Sequence, residues 1–296
     1  MSKQPLVSVV MNCFNSDKYL KEAIESVVQQ TYQNWEIIFW DNQSKDTSAQ
    51  IVKSYDDKRI KYFYAPQHTL LGEARNLAIE KCTGEWIGFL DCDDIWDENK
   101  LTKYFIEFFK SKNIQNISLI YARSNFIDSN GYITSKSLKS ISGNIHDELL
   151  ITGNFIVFSS ILIRKDILNK NGNVNQSLNY CEDYDLLLKI CKNNLAIGID
   201  EYLTSYRIHI DNITTKKRYL NDLETFEFLK KYINENQVKL NIKKHVFFNN
   251  SYRITVLLIK QLINKEYKNV WTLISKYFVY ITFSPISIIY IKLGIR

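Results

Sequence analysis

The sequence predicts an α/β protein built on a mostly parallel sheet, because short apolar segments alternate with segments of helical periodicity. The four predicted strands are residues 6–10, 36–40, 60–64 and 86–90. Helical patterns lie between several of them, notably at residues 72–82. The helix after the first strand, which Asn15 or Ser16 can cap, has one apolar face formed by Tyr19, Leu20, Ala23, Ile24, Val27 and Val28. Alternation of strand and helix favours parallel pairing with right-handed crossovers.

Length and charge predict one large domain followed by a basic appendage. The chain has 296 residues and a net charge of +6. Residues 211–296 contain 15 Lys and Arg against 6 Asp and Glu, whereas residues 1–210 contain 23 against 26. Five cysteines without a CxxC pair argue against a structural zinc site or a disulfide framework. We expect a cytoplasmic protein without a signal peptide.

The carboxyl ends of three predicted strands carry acids and amides. These residues are Asn12 and Asn15 after the first strand, Asp41 and Asn42 after the second, and Asp91, Asp93 and Asp94 after the fourth. In open α/β sheets, ligands bind beyond the carboxyl ends of the strands. The candidate site is therefore predicted at this edge.

The Asp91-Cys92-Asp93 run follows an apolar strand and places two carboxylates at the rim of the sheet. Two such groups can share one hard cation, which would neutralise the charge of a bound diphosphate. Taken alone, the same motif is more often a solvated turn or a helix N-cap.

Two further carboxylates have alternative interpretations. Asp41 can accept hydrogen bonds from a nucleobase or ribose, or it can form an Asx-turn. Asp183 lies in an acidic first turn of an amphipathic helix, where carboxylates usually complement the helix dipole. A carboxylate fixed there can also act as a general base.

The ordered motifs of the chain resemble the family-2 glycosyltransferases with the GT-A fold. The resemblance runs from Val7 to about Lys217 and depends on the order and spacing of short motifs. These are VSVVMNCFN at 7–15, QTYQNWEII at 30–38, WDNQS at 40–44, EARN at 73–76, DCD at 91–93, ED at 182–183 and YRIH at 206–209.

The resemblance implies a role for each matching position. Phe14 would stack on the base, without the hydroxyl of the tyrosine that is usual in the family. The residues implied in nucleotide-sugar binding are Asn12, Phe14, Asp41, Arg75, Asp91 and Arg207. Those implied in metal binding are Asp93, Asp91 and His209, and Asp183 resembles the catalytic base. Asn42 and Gln43 replace the more frequent Asp and Gly of the family's Asp-Asp-Gly-Ser pattern and receive no role.

The function implied is that of a metal-dependent, inverting glycosyltransferase using Mn²⁺ or Mg²⁺. Its donor would be a nucleotide sugar, with UDP as the expected nucleotide, and its acceptor a glycan or lipid-linked glycan of a surface polysaccharide. The implied domains are a catalytic domain at residues 1–217 and a basic helical extension at residues 218–296.

Other functions are less consistent with the sequence. A non-catalytic module that binds a sugar nucleotide or glycan on the same fold is the alternative. A nucleotidylyltransferase or dinucleotide-dependent oxidoreductase is disfavoured, because residues 11–16 contain no glycine for a phosphate loop. The basic tail has no recognisable motif for reading nucleic acid, so we expect no nucleic-acid partner.

The end of the chain leaves two interpretations open. Residues 277–291 form a stretch of 15 residues without charge, interrupted by Pro285. A spanning helix needs about 20 apolar residues. The segment either packs on the catalytic domain or contributes to peripheral attachment at an anionic cytoplasmic membrane surface.

Overall fold

The computed structural model describes residues 4–138 and 140–282. The chain divides into two compact units, one of Met1–His146 with Asn154–Ile210 and the other of Asp147–Gly153 with Asp211–Arg296. The strands are β1 Val7–Cys13, β2 Trp35–Asp41, β3 Ile60–Tyr64, β4 Trp86–Phe89, β5 Ile95–Trp96, β6 Ile117–Ile127, β7 Ile133–Lys136, β8 Leu162–Arg164 and β9 Leu195–Arg207. The helices are α1 Asp17–Val28, α2 Ser48–Lys53, α3 Leu71–Lys81, α4 Lys100–Lys110, α5 His146–Thr152, α6 Lys165–Asn171, α7 Glu182–Cys191, α8 Ile213–Lys216, α9 Arg218–Glu235, α10 Leu240–Ile263 and α11 Tyr267–Thr282.

The predicted α/β fold class is confirmed, and the four predicted strands correspond to β1–β4. These strands lie in the order β3-β2-β1-β4 and pair in parallel. Cys13 at the end of β1 is in register with Asp41 at the end of β2. Val10 of β1 is in register with Phe89 near the end of β4. The segments that follow these strands therefore begin at one edge of the sheet.

Burial in the core of the first unit explains why the sequences of β1 and β2 are mostly apolar. Every residue of β2 is buried, as are all residues of β1 except the half-buried Asn12. Strands covered on both faces are uniformly apolar rather than alternating. Helix α1 covers the sheet with the predicted apolar face, apart from the partly buried Val28. Ser16 occupies the N-cap position of α1, but its hydroxyl donates to the Phe14 carbonyl and does not cap the helix.

The second half of the sheet is mixed and was not predicted. Strand β8 pairs antiparallel with both β4 and β6, and β9 pairs in parallel with β6 and antiparallel with β5. Three register shifts interrupt the long β6–β9 pairing. Strand β9 ends at Arg207, so the motif at residues 206–209 lies at the carboxyl end of this strand.

The second unit is helical, as predicted for the end of the chain. Helices α9, α10 and α11 pack around a small apolar core of Phe226, Ile254, Leu257, Leu273 and Tyr277. Tyr277 has non-helical backbone angles, so α11 consists of two helical stretches joined there. Among helices within residues 4–138 and 140–282, none has the length and apolar character needed to cross a bilayer. Of the uncharged stretch at residues 277–291, the part after 282 lies outside the described residues.

Candidate active site

Asp41, at the end of β2, is fully buried and has partners for both carboxylate oxygens. Oδ1 accepts a hydrogen bond from the Ser44 backbone N–H at 2.7 Å, and Oδ2 accepts one from the Tyr62 hydroxyl at 2.6 Å. The bond from Ser44 closes a local turn, as in the alternative interpretation of Asp41 in the sequence. Burial and the adjacent Asp41 raise the pKa of Tyr62, so this phenol stays protonated and remains a donor to the carboxylate.

Phe14 is exposed just beyond β1 and forms an aromatic pair with His68. The ring centroids are 4.3 Å apart and the rings are tilted by 46°. His68 Nδ1 lies 2.9 Å from the Asn42 carbonyl oxygen, which fixes the imidazole. The nearby Asn12 side chain has a buried Nδ2 without a hydrogen-bond partner among the described residues. This region combines an accessible aromatic face with a donor that lacks an acceptor.

Asn42 and Gln43, which received no role from the sequence, shape this region. The Asn42 amide donates to the Thr69 carbonyl and accepts from the Thr69 backbone N–H, at 2.8 and 3.1 Å. Gln43 has a φ of +70°, in the left-handed region where glycine carries no steric cost. That conformation accounts for the glycine that the family more often has at this position.

Arg75 links the segment after β4 to the start of α7. Its guanidinium forms a buried ion pair with Glu182 and lies 3.5 Å from Asp91 Oδ1. The guanidinium also lies over the Phe158 ring at 4.3 Å. The Asp91 side chain keeps 40% of its surface exposed. Partial desolvation, together with Asp93 and Glu182, raises the pKa of Asp91, although Arg75 opposes the shift.

Asp183 differs from the other two acids in the first turn of α7. Glu182 is paired with Arg75, and the buried Asp185 is paired with Lys189 at 2.5 Å. Asp183 is only partly buried, and its Oδ2 accepts a hydrogen bond from Asn154 Nδ2 at 3.1 Å. Desolvation and then the Glu182 charge raise the pKa of Asp183 to about 7. A carboxylate with such a pKa can take up and release a proton near neutral pH.

Asp93 and His209 bring the segment after β4 into contact with the segment after β9. His209 Nε2 lies 2.9 Å from Asp93 Oδ2. The imidazole also lies against the Tyr19 ring, with centroids 5.3 Å apart. These two side chains come from motifs more than 100 residues apart, and the β9 terminus is what joins them.

Arg207 is buried and does not extend into open space. Its Nη2 pairs with Glu22 Oε2 at 2.6 Å, and its guanidinium lies over the Tyr19 ring at 4.2 Å. Its Nε donates to the backbone carbonyl of Asp93 at 3.0 Å. Its backbone N–H donates to the fully buried Asp94 at 2.9 Å. Arg207 therefore holds the Asp93–Asp94 backbone in place.

The residues present provide a partial donor set for a divalent cation. Asp93 and His209 supply a carboxylate oxygen and an imidazole nitrogen in contact with each other, a combination that manganese and similar ions accept. Within the described part of the chain, no group of three or more His, Cys, Asp or Glu side chains is arranged to hold a metal. A cation here would thus need further oxygen ligands, which a diphosphate and water can supply.

Several residues of the site were not identified as site residues from the sequence. They are Tyr19, Glu22, Tyr62, His68, Asn154, Phe158 and Ser159. Ser159, for example, accepts a hydrogen bond from the Asp91 backbone N–H through its hydroxyl, at 3.1 Å, and from Trp96 Nε1 through its carbonyl, at 2.6 Å. Each contact involves a partner far away in the sequence, where no local pattern indicates it.

Sequence comparison connects this site to proteins of known class. The sequence model described as Glycosyl transferase family 2 matches residues 8–172. One similar curated protein is the Escherichia coli UDP-Glc:alpha-D-GlcNAc-diphosphoundecaprenol beta-1,3-glucosyltransferase WfgD. It is 30% identical over 258 residues, which cover 82% of this chain and 96% of WfgD.

Structure comparison gives similar folds at lower sequence identity. S. aureus TarS 1–349 in complex with UDP-GlcNAc matches 92% of this chain and 91% of its own, with a TM-score of 0.60 and 18% identity. The mannosyltransferase PcManGT from Pyrobaculum calidifontis, in complex with GDP-Man and Mn²⁺, matches 97% and 85% with a TM-score of 0.64 and 13% identity. At these identities the two structures show a shared fold.

Proposed function

This chain belongs to glycosyl transferase family 2 and has the GT-A fold, and we propose that it transfers one sugar from a UDP-sugar to a hydroxyl group of a lipid-linked glycan, with inversion at the anomeric carbon. UDP is proposed because TarS is seen with UDP-GlcNAc and WfgD is named as a UDP-Glc enzyme. The acceptor is proposed because the WfgD name specifies a diphosphoundecaprenol-linked sugar. The enzyme would act in surface-polysaccharide synthesis at the cytoplasmic face of the membrane.

The donor nucleotide would bind between the ends of β1 and β2. The exposed face of Phe14 offers a stacking surface for the base, and Asn12 Nδ2 is a donor that lacks an acceptor. Asp41 would support this region indirectly, because Ser44 and Tyr62 already occupy its two oxygens. Asp91 is exposed enough to accept hydrogen bonds from ribose hydroxyls.

The diphosphate would lie near Arg75, Asp93 and His209. Asp93 and His209 would hold the cation, Mn²⁺ or Mg²⁺, whose charge neutralises the charge that develops on a departing diphosphate. Arg75 carries a fixed positive charge, but Glu182 partly neutralises it. For Arg207 we propose a positioning role, because its guanidinium is bound to Glu22 and to the Asp93 carbonyl.

Asp183 would act as the general base. Its ionised carboxylate would take the proton of the acceptor hydroxyl while the hydroxyl oxygen attacks the anomeric carbon. The bond from that carbon to the diphosphate oxygen breaks, and the nucleoside diphosphate leaves with the electron pair. One displacement inverts the anomeric configuration, so the proposal involves no covalent sugar–protein intermediate.

The observation that carries this proposal is the difference among the three acids of α7. Glu182 and Asp185 are buried and paired with cations, whereas Asp183 is partly exposed and has a neutral amide partner. Asp183 follows Glu182, whose partner Arg75 also contacts Asp91. The proposed base, Asp183, and the proposed donor-binding carboxylate, Asp91, are thus linked through Glu182 and Arg75.

The experiment is a panel of nucleotide sugars tested for release of nucleoside diphosphate, with Mn²⁺, with Mg²⁺ and with a chelator. We expect a UDP-sugar to be turned over only with the cation. Transfer to a synthetic sugar–diphosphate–lipid then gives a product whose anomeric configuration NMR measures. A product with the donor's configuration would contradict inversion.

The non-catalytic alternative gives a different result in the same panel. Calorimetry would then detect binding of a nucleotide sugar, but no donor would be hydrolysed or transferred with any cation. That combination would overturn the proposal that this chain is an active transferase.

A further inference from the structure

The end of α10 and the exposed side of α11 each carry large apolar side chains that are exposed. We call this group of side chains the α10–α11 patch, and it consists of Ile259, Leu262, Ile263, Tyr267, Trp271, Phe278 and Val279. Trp271 is 71% exposed and Ile263 72%. Isolated exposed apolar residues are ordinary, but a group of this size on adjoining helical segments typically marks an interaction surface.

The patch is not the surface by which α11 packs into its own unit. Val270, Leu273 and Tyr277 are the buried residues of α11. Tyr267, Trp271 and Ile274 follow one another at helical spacing on a different side of the first helical stretch of α11. The exposed Phe278 lies in the second stretch, directly after Tyr277. Helix α11 therefore has one apolar side that stabilises the helical unit and a second, aromatic-rich side that faces solvent.

The charged residues of the segment that carries the patch are mostly positive. Residues 259–282 contain Lys260, Lys265, Lys268 and Lys276, and Glu266 is their one carboxylate. Lys276 is paired with Glu227 of α9, at 3.0 Å. Lys265 and Lys268 are exposed beside the apolar side chains. Aromatic side chains bordered by lysines fit the interface of a bilayer with anionic lipids, where rings enter the headgroup region and ammonium groups meet phosphates.

We propose that the α10–α11 patch docks this protein on an anionic bilayer surface, with Trp271 and Phe278 as the inserted side chains and Lys265 and Lys268 as the electrostatic contacts. The proposal rests on the proposed function, because a lipid-linked acceptor lies at such a surface. It assigns membrane contact to side chains of α10 and α11, of which Phe278 and Val279 lie at the start of the uncharged stretch at residues 277–291.

A second copy of this chain is a less favourable occupant. Two-fold pairing brings the same patch of each copy together, so Lys265 and Lys268 of both copies would be concentrated at one interface. Like charges at an interface are unfavourable, whereas an anionic bilayer complements them.

Tryptophan fluorescence of the full chain gives a direct test. The chain has five tryptophans, and Trp35, Trp40, Trp86 and Trp96 are each at most 4% exposed. A change of emission on adding vesicles therefore reports mainly on Trp271. We expect a shift to shorter wavelength with vesicles of phosphatidylglycerol and phosphatidylcholine, and a much smaller shift with phosphatidylcholine alone. Raising the salt should weaken binding, because the Debye length falls from about 10 Å at 0.1 M to about 3 Å at 1 M.

Flotation of variants separates the contributions. Trp271→Ser with Phe278→Ser should lower the fraction bound to anionic vesicles by about tenfold or more, since two inserted rings are lost. Lys265→Gln with Lys268→Gln should lower binding to anionic vesicles and remove most of its salt dependence. The matched control is Tyr132→Ser with Ile133→Ser, which removes an exposed aromatic and an exposed aliphatic side chain from the first unit. This control should bind as the wild type does.

Unchanged binding of the Trp271→Ser/Phe278→Ser variant would overturn the proposal, as would a wild-type protein that stays with the soluble fraction at low salt. A stable dimer that this variant dissociates, without vesicle binding by the wild type, would assign the patch to self-association instead. Release of nucleoside diphosphate from a soluble donor should be unaffected in every variant. That readout tests the proposed function separately from the docking surface.

Discussion

The α7 side and the β9 side of the candidate site hold their carboxylates in different ways. On the α7 side, Asp183 has a neutral amide partner, Asn154, and lies next to the charge of Glu182. On the β9 side, Asp93 contacts His209, and Arg207 holds its backbone carbonyl. Desolvation beside like charge favours a protonated carboxyl and suits proton transfer. Fixation by a buried arginine suits a carboxylate that must keep its position.

Replacing the proposed base tests the α7 side most strongly. Asp183→Asn should lower kcat by about 10² to 10⁴, because the amide keeps the shape of the side chain but cannot accept a proton. Binding of UDP, measured by calorimetry, should change little. The matched control is Asp166→Asn, which alters an exposed carboxylate in the first turn of α6 and should keep full activity. Wild-type kcat in Asp183→Asn would shift the base role to another residue.

Replacing Asp93 tests the β9 side and should give the next largest effect. Asp93→Ala should lower cation-dependent turnover by about 100-fold, because a ligand of the cation that stabilises the leaving group is lost. The side chain is partly exposed, so the melting temperature should change little. Turnover and its dependence on Mn²⁺ concentration are the measurements. Full activity of the Asp93→Ala variant in the presence of chelator would show that Asp93 has no role in metal binding.

Glu22 tests whether Arg207 positions Asp93. Glu22→Gln should weaken the apparent affinity for Mn²⁺ by about tenfold, because residues that orient metal ligands typically contribute at this level. The affinity for UDP without cation should stay unchanged. Glu25→Gln alters a carboxylate of the same helix that pairs with the exposed Lys21 at 3.8 Å, so it serves as the control. Equal Mn²⁺ affinities in the two variants would contradict the positioning role.

The pH dependence of kcat/KM is the smallest of the expected effects, and it distinguishes the α7 side from the β9 side. A base with a pKa of about 7 must be ionised to work, so kcat/KM should rise with pH through about 7 and level off above it. At pH 6.5 it should be about fourfold below the plateau. Asp183→Asn should remove this dependence from its residual activity, whereas Asp93→Ala should retain it. A wild-type profile that is flat between pH 6 and 8 would contradict the raised pKa.

Much of the first half of the fold could be predicted from local pattern. The four predicted strands match β1–β4 within a few residues. Strands β1, β2 and β4 are buried and mostly apolar, which leaves a clear signal, whereas β3 is only partly buried. Strands β5–β9 could not be predicted in the same way. Strand β5 has two residues and β8 three, and β9 alternates irregularly because its pairing with β6 contains register shifts.

The roles predicted for the site residues stay predictions, but the structure changes their physical basis. Asp41 and Arg207 were expected to touch the nucleotide sugar, and both are buried with their polar groups bonded within the protein. Asp93, His209 and Asp183 keep partly exposed side chains at the site. A motif specifies which residue type is present, whereas burial and partners specify what that residue can reach.

The sequence by itself determined the α/β class, the acids at the strand ends and the family resemblance, because each follows from short local patterns and their order along the chain. Only the tertiary structure decided which partners those acids have. Arg75 meets Glu182 over a separation of 107 residues, and Arg207 meets Glu22 over 185. The exposed side of α11 likewise became visible only when Val270, Leu273 and Tyr277 were seen to form the buried side. Such contacts depend on which surfaces pack against each other, and the pattern of apolar residues along one helix does not specify which of its sides is buried.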